Sequence, residues 1–297
     1  MSAPTISTLE LTSPRIVRFE DLLPGWNVAP HSNEAGFFRW LIEYVGGPPG
    51  HLHEYPQSGL VGHRSIMGLM GLPVGNRQYG LHRHSTTEIY LILQGRVESL
   101  EGQGRRQLAG PLDCLYIPPG AAHCVRAVGE EDVLLMFVHD DHEPLGVSQY
   151  VTDDDPSLKL EEPHPQLVRL DDLDPWWGAA QAREAGHLRW SASWVGGAAD
   201  GELNHNPSTA AHSTKVALGS TVISAANAEV MESWPAIRYV MVAKGRARVE
   251  GHPELPDMGP LDVLVVPAGC PHALRPLGLE PVQLIWFHED LGQPSQA

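Results

Sequence analysis

GPLDCLYIPPGAAH, residues 110–123, recurs as GPLDVLVVPAGCPH at 259–272. The two segments share the Gly-Pro-Leu-Asp opening, the later proline, the glycine and the closing histidine, at a displacement of 149 residues. Working outward, VRFEDLLPGW (17–26) is echoed by VRLDDLDPWW (168–177). Arg39-Trp40 with Gly46-Gly47 returns as Arg189-Trp190 with Gly196-Gly197, and these offsets are 150 or 151. A near-constant displacement over about a hundred residues reports duplication of a whole domain, because solenoid units recur every 20 to 50 residues or so. The two halves should share one fold. Between them, Asp140 to Pro165 is acidic and broken by prolines, as a solvated connection is. The boundary is expected near residue 155, giving domains of 1–155 and 156–297.

Each half is built of short segments rich in Val, Ile, Leu and Tyr, cut by Gly and Pro: EIYLILQGRVESLEG, LDCLYIPPG and DVLLMFVHD in the first, YVMVAKGRARVEG, LDVLVVPAG and VQLIWFHED in the second. Many short strands with closely spaced turn signals predict an all-β sandwich or barrel. A net charge of −16 with dispersed Lys and Arg argues against nucleic acid as a partner. No apolar run approaches the ~20 residues of a membrane helix, and the N-terminus lacks a basic start followed by an apolar stretch. A cytoplasmic protein with no membrane partner is expected. Cys114, Cys124 and Cys270 are odd in number and scattered, so they should be reduced and mostly buried.

The chemistry lies in GLHRHSTTEIYLILQG (80–95). His82 and His84 stand two apart, so on a strand both imidazoles point to one side, and a short turn could bring Glu88 beside them. His123 follows the rigid Pro118-Pro119-Gly120 turn and would come from a neighbouring strand. Three imidazoles and one carboxylate suit a divalent ion such as Fe, Mn, Ni, Cu or Zn, with coordination positions left open. Tyr90, two beyond Glu88, would face the same interior, as acid, base or substrate anchor, or as packed core. Arg126 is the expected anion-binding group, and Arg83 alternates away from the two histidines. His51-Leu52-His53-Glu54 also holds a spaced pair, but its Gly/Pro-rich setting predicts a surface loop. His63, His139 and His142 suggest no partners.

These residues resemble the motifs of the cupin superfamily. The first motif, HxH, a short spacer, Glu, six residues and Gly, is matched by His82, His84, Glu88 and Gly95; the second, Gly, a short run and PxGxxH, by Gly110, Pro118, Gly120 and His123. An Asn common shortly after the second-motif His is absent, its place taken by Cys124-Val125-Arg126-Ala127. The resemblance implies two tandem double-stranded β-helix (jelly-roll) barrels and a site holding one divalent transition metal, Fe(II) foremost. It implies a small-molecule substrate, and homo-oligomers formed through the barrels. Its relatives include dioxygenases, which make dioxygenation of a phenolic or carboxylated compound the first expectation. Decarboxylases, lyases and isomerases form the alternative, and a non-catalytic binding or storage protein a third.

Aligning the repeats through Gly95 and Gly245 sets Glu232, Trp234 and Arg238 at the places of His82, His84 and Glu88, and only His272 keeps its identity. A guanidinium there would repel a cation. The C-terminal barrel is therefore expected to be a scaffold, with Arg238 and Glu232 as a buried pair and Trp234 filling the space of the metal; binding of an anionic effector by Arg238 and His272 is the alternative.

Overall fold

The computed structural model describes residues 6–26, 31–53, 59–144, 148–152, 163–175, 189–196, 209–224 and 231–289. Their regular structure is all β: the only helices among them are 3₁₀ turns of three residues, such as Thr8–Glu10 and Leu170–Asp172. No helix among them is long and apolar enough to cross a membrane.

The contacts divide the chain into two units, 22–171 with residues 1–5, and 172–297 with residues 6–21. In the first unit a seven-stranded sheet runs in the order Gln166–Val168, Cys114–Ile117, Glu88–Gln94, Val133–His139, Ile66–Leu72, Trp40–Gly46, Leu60–Val61. A five-stranded sheet runs Gln149–Tyr150, His82–Arg83, His123–Val128, Arg96–Glu101, Arg106–Ala109. Leu41, Met70, Tyr90, Leu115 and Phe137 from the first sheet and Val97, Ala109, Val125 and Ala127 from the second form one buried cluster. Alternate inward residues of two sheets closing on a common core make the barrel.

The second unit repeats the large sheet in the same order: Arg15–Val17, Val263–Val266, Arg238–Lys244, Val282–Glu289, Val216–Ile223, Arg189–Gly196, Ala211–His212. Its smaller sheet pairs Ala247–Glu250 with Ala273–Pro276. Both units have the tandem cupin fold expected from the motifs. Gly95 lies at φ +73°, and a Cβ there would sit 2.7 Å from the Asp132 carbonyl oxygen, so the motif glycine closes a turn no other residue fits.

One feature departs from a simple division. The edge strand of the first unit, Gln166–Val168, belongs in sequence to the second repeat, and that of the second unit, Arg15–Val17, to the first. The boundary expected near residue 155 lies in 153–162, outside the described residues. The shared Gly-Pro-Leu-Asp turn explains how each edge strand is held. Leu112 and Leu261 take φ +66° and +68°, and the following aspartate caps the turn, accepting from Gly110 N at 2.9 Å and from Gly259 N at 2.8 Å. Asp113 also accepts from Leu170 N, at 3.3 Å, and lies 3.5 Å from the Arg169 guanidinium. In the second unit Asp262 accepts from Phe19 N at 3.1 Å and from Arg18 Nη1 at 2.9 Å. The two echoed motifs of the sequence, the Gly-Pro-Leu-Asp turn and the Val-Arg segment, are thus partners of one another.

Candidate metal centre

His82 and His123 face each other across paired strands, and Glu88 begins the neighbouring strand of the other sheet. All three are buried, as is His84. One ligand atom from each of the four side chains lies within 4.8 Å of the others. Glu88 Oε2 is 3.2 Å from His84 Nε2 and 2.8 Å from His123 Nε2. Ligands about 2.1 Å from one ion and at right angles to each other lie about 3.0 Å apart, so these edges fit a transition-metal ion.

The rings are oriented by their outward nitrogens. His82 Nδ1 meets the Gly80 carbonyl at 3.0 Å, His123 Nδ1 the Ala121 carbonyl at 2.9 Å, and His84 Nδ1 the Glu143 carboxylate at 2.8 Å. With Nδ1 donating, each Nε2 presents its lone pair inward, the arrangement that fixes tautomer and direction in metal-binding histidines. Burial, with His123 and His84 nearby, keeps His82 neutral by moving its pKa well below the ordinary value. Burial opposes the charge on Glu88, but His139, His84 and His123 outweigh it and hold the carboxylate ionised. For His84 burial is likewise opposed, by Glu88 and Glu143, and its pKa rises to about 9. A bound cation would take the place of that proton.

The surroundings include groups the sequence did not point to. His139 pairs in register with Glu88, and its Nε2 lies 3.1 Å from Glu88 Oε1. Behind it His53, its side chain 15% exposed, lies against Phe137 and His139 and reaches Glu43 at 3.2 Å. His53 is thus packed against the site, not displayed on a surface loop. His142 packs edge-on against His51. The signal for His139 was its echo as His288, 149 residues on, in strands that otherwise repeat only as apolar pattern.

Tyr90 belongs to the core, 1% exposed, with its hydroxyl accepting from Gln78 Nε2 at 2.8 Å. Burial and the Glu88 carboxylate push its pKa well up, so the phenol keeps its proton. Arg126 lies elsewhere. It is an odd number of residues from His123 on the same strand, hence on the opposite face, and it is ion-paired with Glu98. The expected anion-binding role is therefore not placed at Arg126. Cys114 and Cys124 are buried and Cys270 is partly so, all as thiols.

At the equivalent place in the second unit, the Arg238 guanidinium is ion-paired with Glu232 and lies 3.1 Å from His272 Nε2. Arg189 pairs with the other Glu232 oxygen, and the Trp234 ring lies 5.5 Å beneath the Arg238 guanidinium. Charge and bulk fill the position where ligands stand in the first unit.

The family model of the cupin domain matches residues 68–139, the segment holding all four of these ligand-type residues. Among curated proteins, none matches this sequence. Among solved structures, a putative glyoxylate-induced protein from Pseudomonas aeruginosa is 10% identical with a TM-score of 0.61, over 100% of this chain and 95% of that one. Protein YlbA from E. coli is 11% identical with a TM-score of 0.59, over 96% of both chains. An oxalate decarboxylase from Lactobacillus farciminis, solved as its formate complex, is 16% identical with a TM-score of 0.56, over 97% of this chain and 88% of that one. At such identities the likeness is one of fold.

Proposed function

We propose that this chain, whose two units share the cupin fold and whose residues 68–139 match the cupin domain family, is a mononuclear metal-dependent enzyme acting on a small organic substrate. One observation carries the reading: three imidazoles, each with Nδ1 bonded to its own acceptor, aim Nε2 at one point beside the Glu88 carboxylate. His82, His84, Glu88 and His123 would hold the ion, which would supply Lewis-acid catalysis or, if redox-active, dioxygen chemistry at an open coordination position. Glu143 holds the His84 ring, Tyr90 keeps a proton beneath Glu88, and the apolar cluster under the site excludes water from its inner side.

Of the two reaction types expected, non-oxidative cleavage of a small acid has the more specific support. Oxalate decarboxylases are among the proteins sharing the fold, and one of them, from Bacillus subtilis, is described by its Mn(II) centres. Dioxygenation stands as the second reading, because three imidazoles and a carboxylate accept Fe(II) as readily.

Elemental analysis of the purified protein should find about one divalent ion per chain, and His84→Ala should lose it; a metal-free protein that takes up no ion would refute both readings. Oxygen-electrode traces with a panel of carboxylic acids, phenols and diketones then choose between them. Turnover without oxygen uptake supports non-oxidative cleavage, and stoichiometric uptake supports the dioxygenase instead.

A further inference from the structure

Arg39 is 5% exposed, and its Nε and Nη1 are buried without a hydrogen-bond partner among the described residues. It lies within electrostatic reach of Tyr150, Tyr90 and Cys124. Tyr150 is paired in register with His82, and its ring centre is 5.6 Å from that imidazole. The guanidinium therefore lies near Tyr150, whose ring packs against His82.

The internal repeat provides a comparison. Arg189 is the counterpart of Arg39, and it is ion-paired with Glu232, the residue at the place of His82. One arginine thus has a carboxylate from its own chain, while in the barrel that keeps its ligand residues the other has none among the described residues. A buried cation with idle donors is strongly unfavourable unless a partner arrives. An idle N–H group on a buried guanidinium matches a carboxylate oxygen, which accepts a charge-assisted hydrogen bond from it.

A second, independent feature leads from this place to solvent. The Tyr150 ring meets Tyr79 edge-on at 5.6 Å, and Tyr79 stacks on His31 at 3.8 Å and meets Phe37 at 5.3 Å. Tyr79 and Tyr150 are each 39% exposed, a large figure for aromatic side chains so close to a buried site. Aromatic faces and edges arranged in this way receive a flat ring by offset or T-shaped contact.

We propose that Arg39 binds the carboxylate of an aromatic organic acid, whose ring lies along Tyr150 and Tyr79, and so presents the substrate to the metal centre. This rests on the metal-enzyme reading above and narrows its substrate class. It also supplies the anion-binding group that Arg126 does not.

The test is calorimetric titration of Mn(II)-loaded protein with benzoate, acetate and benzamide. Benzoate should bind at least tenfold more tightly than either of the others. Arg39→Met should weaken benzoate at least tenfold, leave benzamide and metal content unchanged, and keep or raise the thermal midpoint, because an unpaired buried cation has been removed. Arg39→Lys, which keeps the charge without the planar fork, should fall between the two, and Arg106→Gln, at an exposed site, should match the parent protein. Unchanged benzoate affinity in fully loaded Arg39→Met, or a lowered midpoint with binding intact, overturns the proposal and makes Arg39 structural. Acetate binding as tightly as benzoate overturns the aromatic part. If the parent protein takes up no metal, the metal reading fails by itself, and benzoate titration of that same metal-free protein and its Arg39→Met variant still decides this one.

Discussion

Replacing Glu143 with Gln separates a metal ligand's support from mere burial. Glu143 is 3% exposed; its Oε2 accepts from His84 Nδ1 at 2.8 Å, and its Oε1 accepts from the Ser85 amide and, at 2.7 Å, from the Ser85 hydroxyl. Burial opposes its ionisation, but the bonds from His84 and Ser85 outweigh that and hold the carboxyl at about 2. A glutamine has one accepting atom. Turned toward His84, it sets its NH₂ against the Ser85 amide, and turned toward Ser85 it sets NH₂ against the imidazole N–H. Either way the substitution breaks one hydrogen bond to a charged group, worth about 1.5–3 kcal/mol. At about 1.4 kcal/mol per factor of ten this is roughly a 10- to 100-fold loss, the range found when an outer partner of a metal-binding histidine is removed. Competition against a chromogenic chelator, with Mn(II) or Zn(II), measures it directly. His84→Ala should be worse by a clear margin. A Glu143→Gln protein with metal affinity within twofold of the parent would refute the reasoning and make the His84–Glu143 pair a structural ion pair.

Further outcomes follow from other parts of the structure. His84 is held at about 9 in the metal-free protein, against about 6.5 in an unfolded chain, so its stabilising proton is fully present below about 6.5 and lost as pH rises through 9. Thermal midpoints of metal-free protein should therefore fall between those values, and His84→Gln should flatten the slope; a midpoint level across that range would count against it. Glu232 behaves oppositely: its carboxyl sits at about 2 despite burial, because Arg238 and Arg189 flank it, so its contribution is present above the ordinary carboxylate range and lost as pH falls toward 2. In the second unit Arg238→Leu leaves Glu232 short of one partner and should cost on the order of 3 kcal/mol in chemical denaturation, with most of it recovered by adding Glu232→Leu. Asp262→Ala removes acceptors for Gly259 N, Phe19 N and Arg18, and should destabilise the same unit by about 2–4 kcal/mol. A loss under about 0.5 kcal/mol would show that the turn holds without its cap.

Much of this was legible because duplication leaves a mark in one chain, and because the four ligand-type residues stand in a fixed order within about forty positions. What escaped was set by strand register and by hydrogen bonds between distant residues. His139 reaches Glu88 only because two strands pair in one register, and Glu143 meets His84 from 59 residues away. Alternation alone sets Arg126, three positions from His123, on the other face of its strand. In the sequence Arg39 stands out only through its echo in Arg189. That it lacks a carboxylate partner among the described residues is a fact of the fold, which no pattern of residues displays.

The traded edge strands also set an order of events in folding. Arg18 must wait for Asp262, 244 residues further along the chain, before its unit can close. At synthesis rates of about 5–20 residues per second, that interval is roughly 12 to 50 s. During it the first barrel gains its last strand from Gln166–Val168, while the Arg15–Val17 strand has no template to pair with. Closure over so long a loop costs only a few RT more than over a short one, but its search is slow. The metal-site barrel can thus mature while the chain is still growing, and the filled barrel is sealed last, by the first strand made.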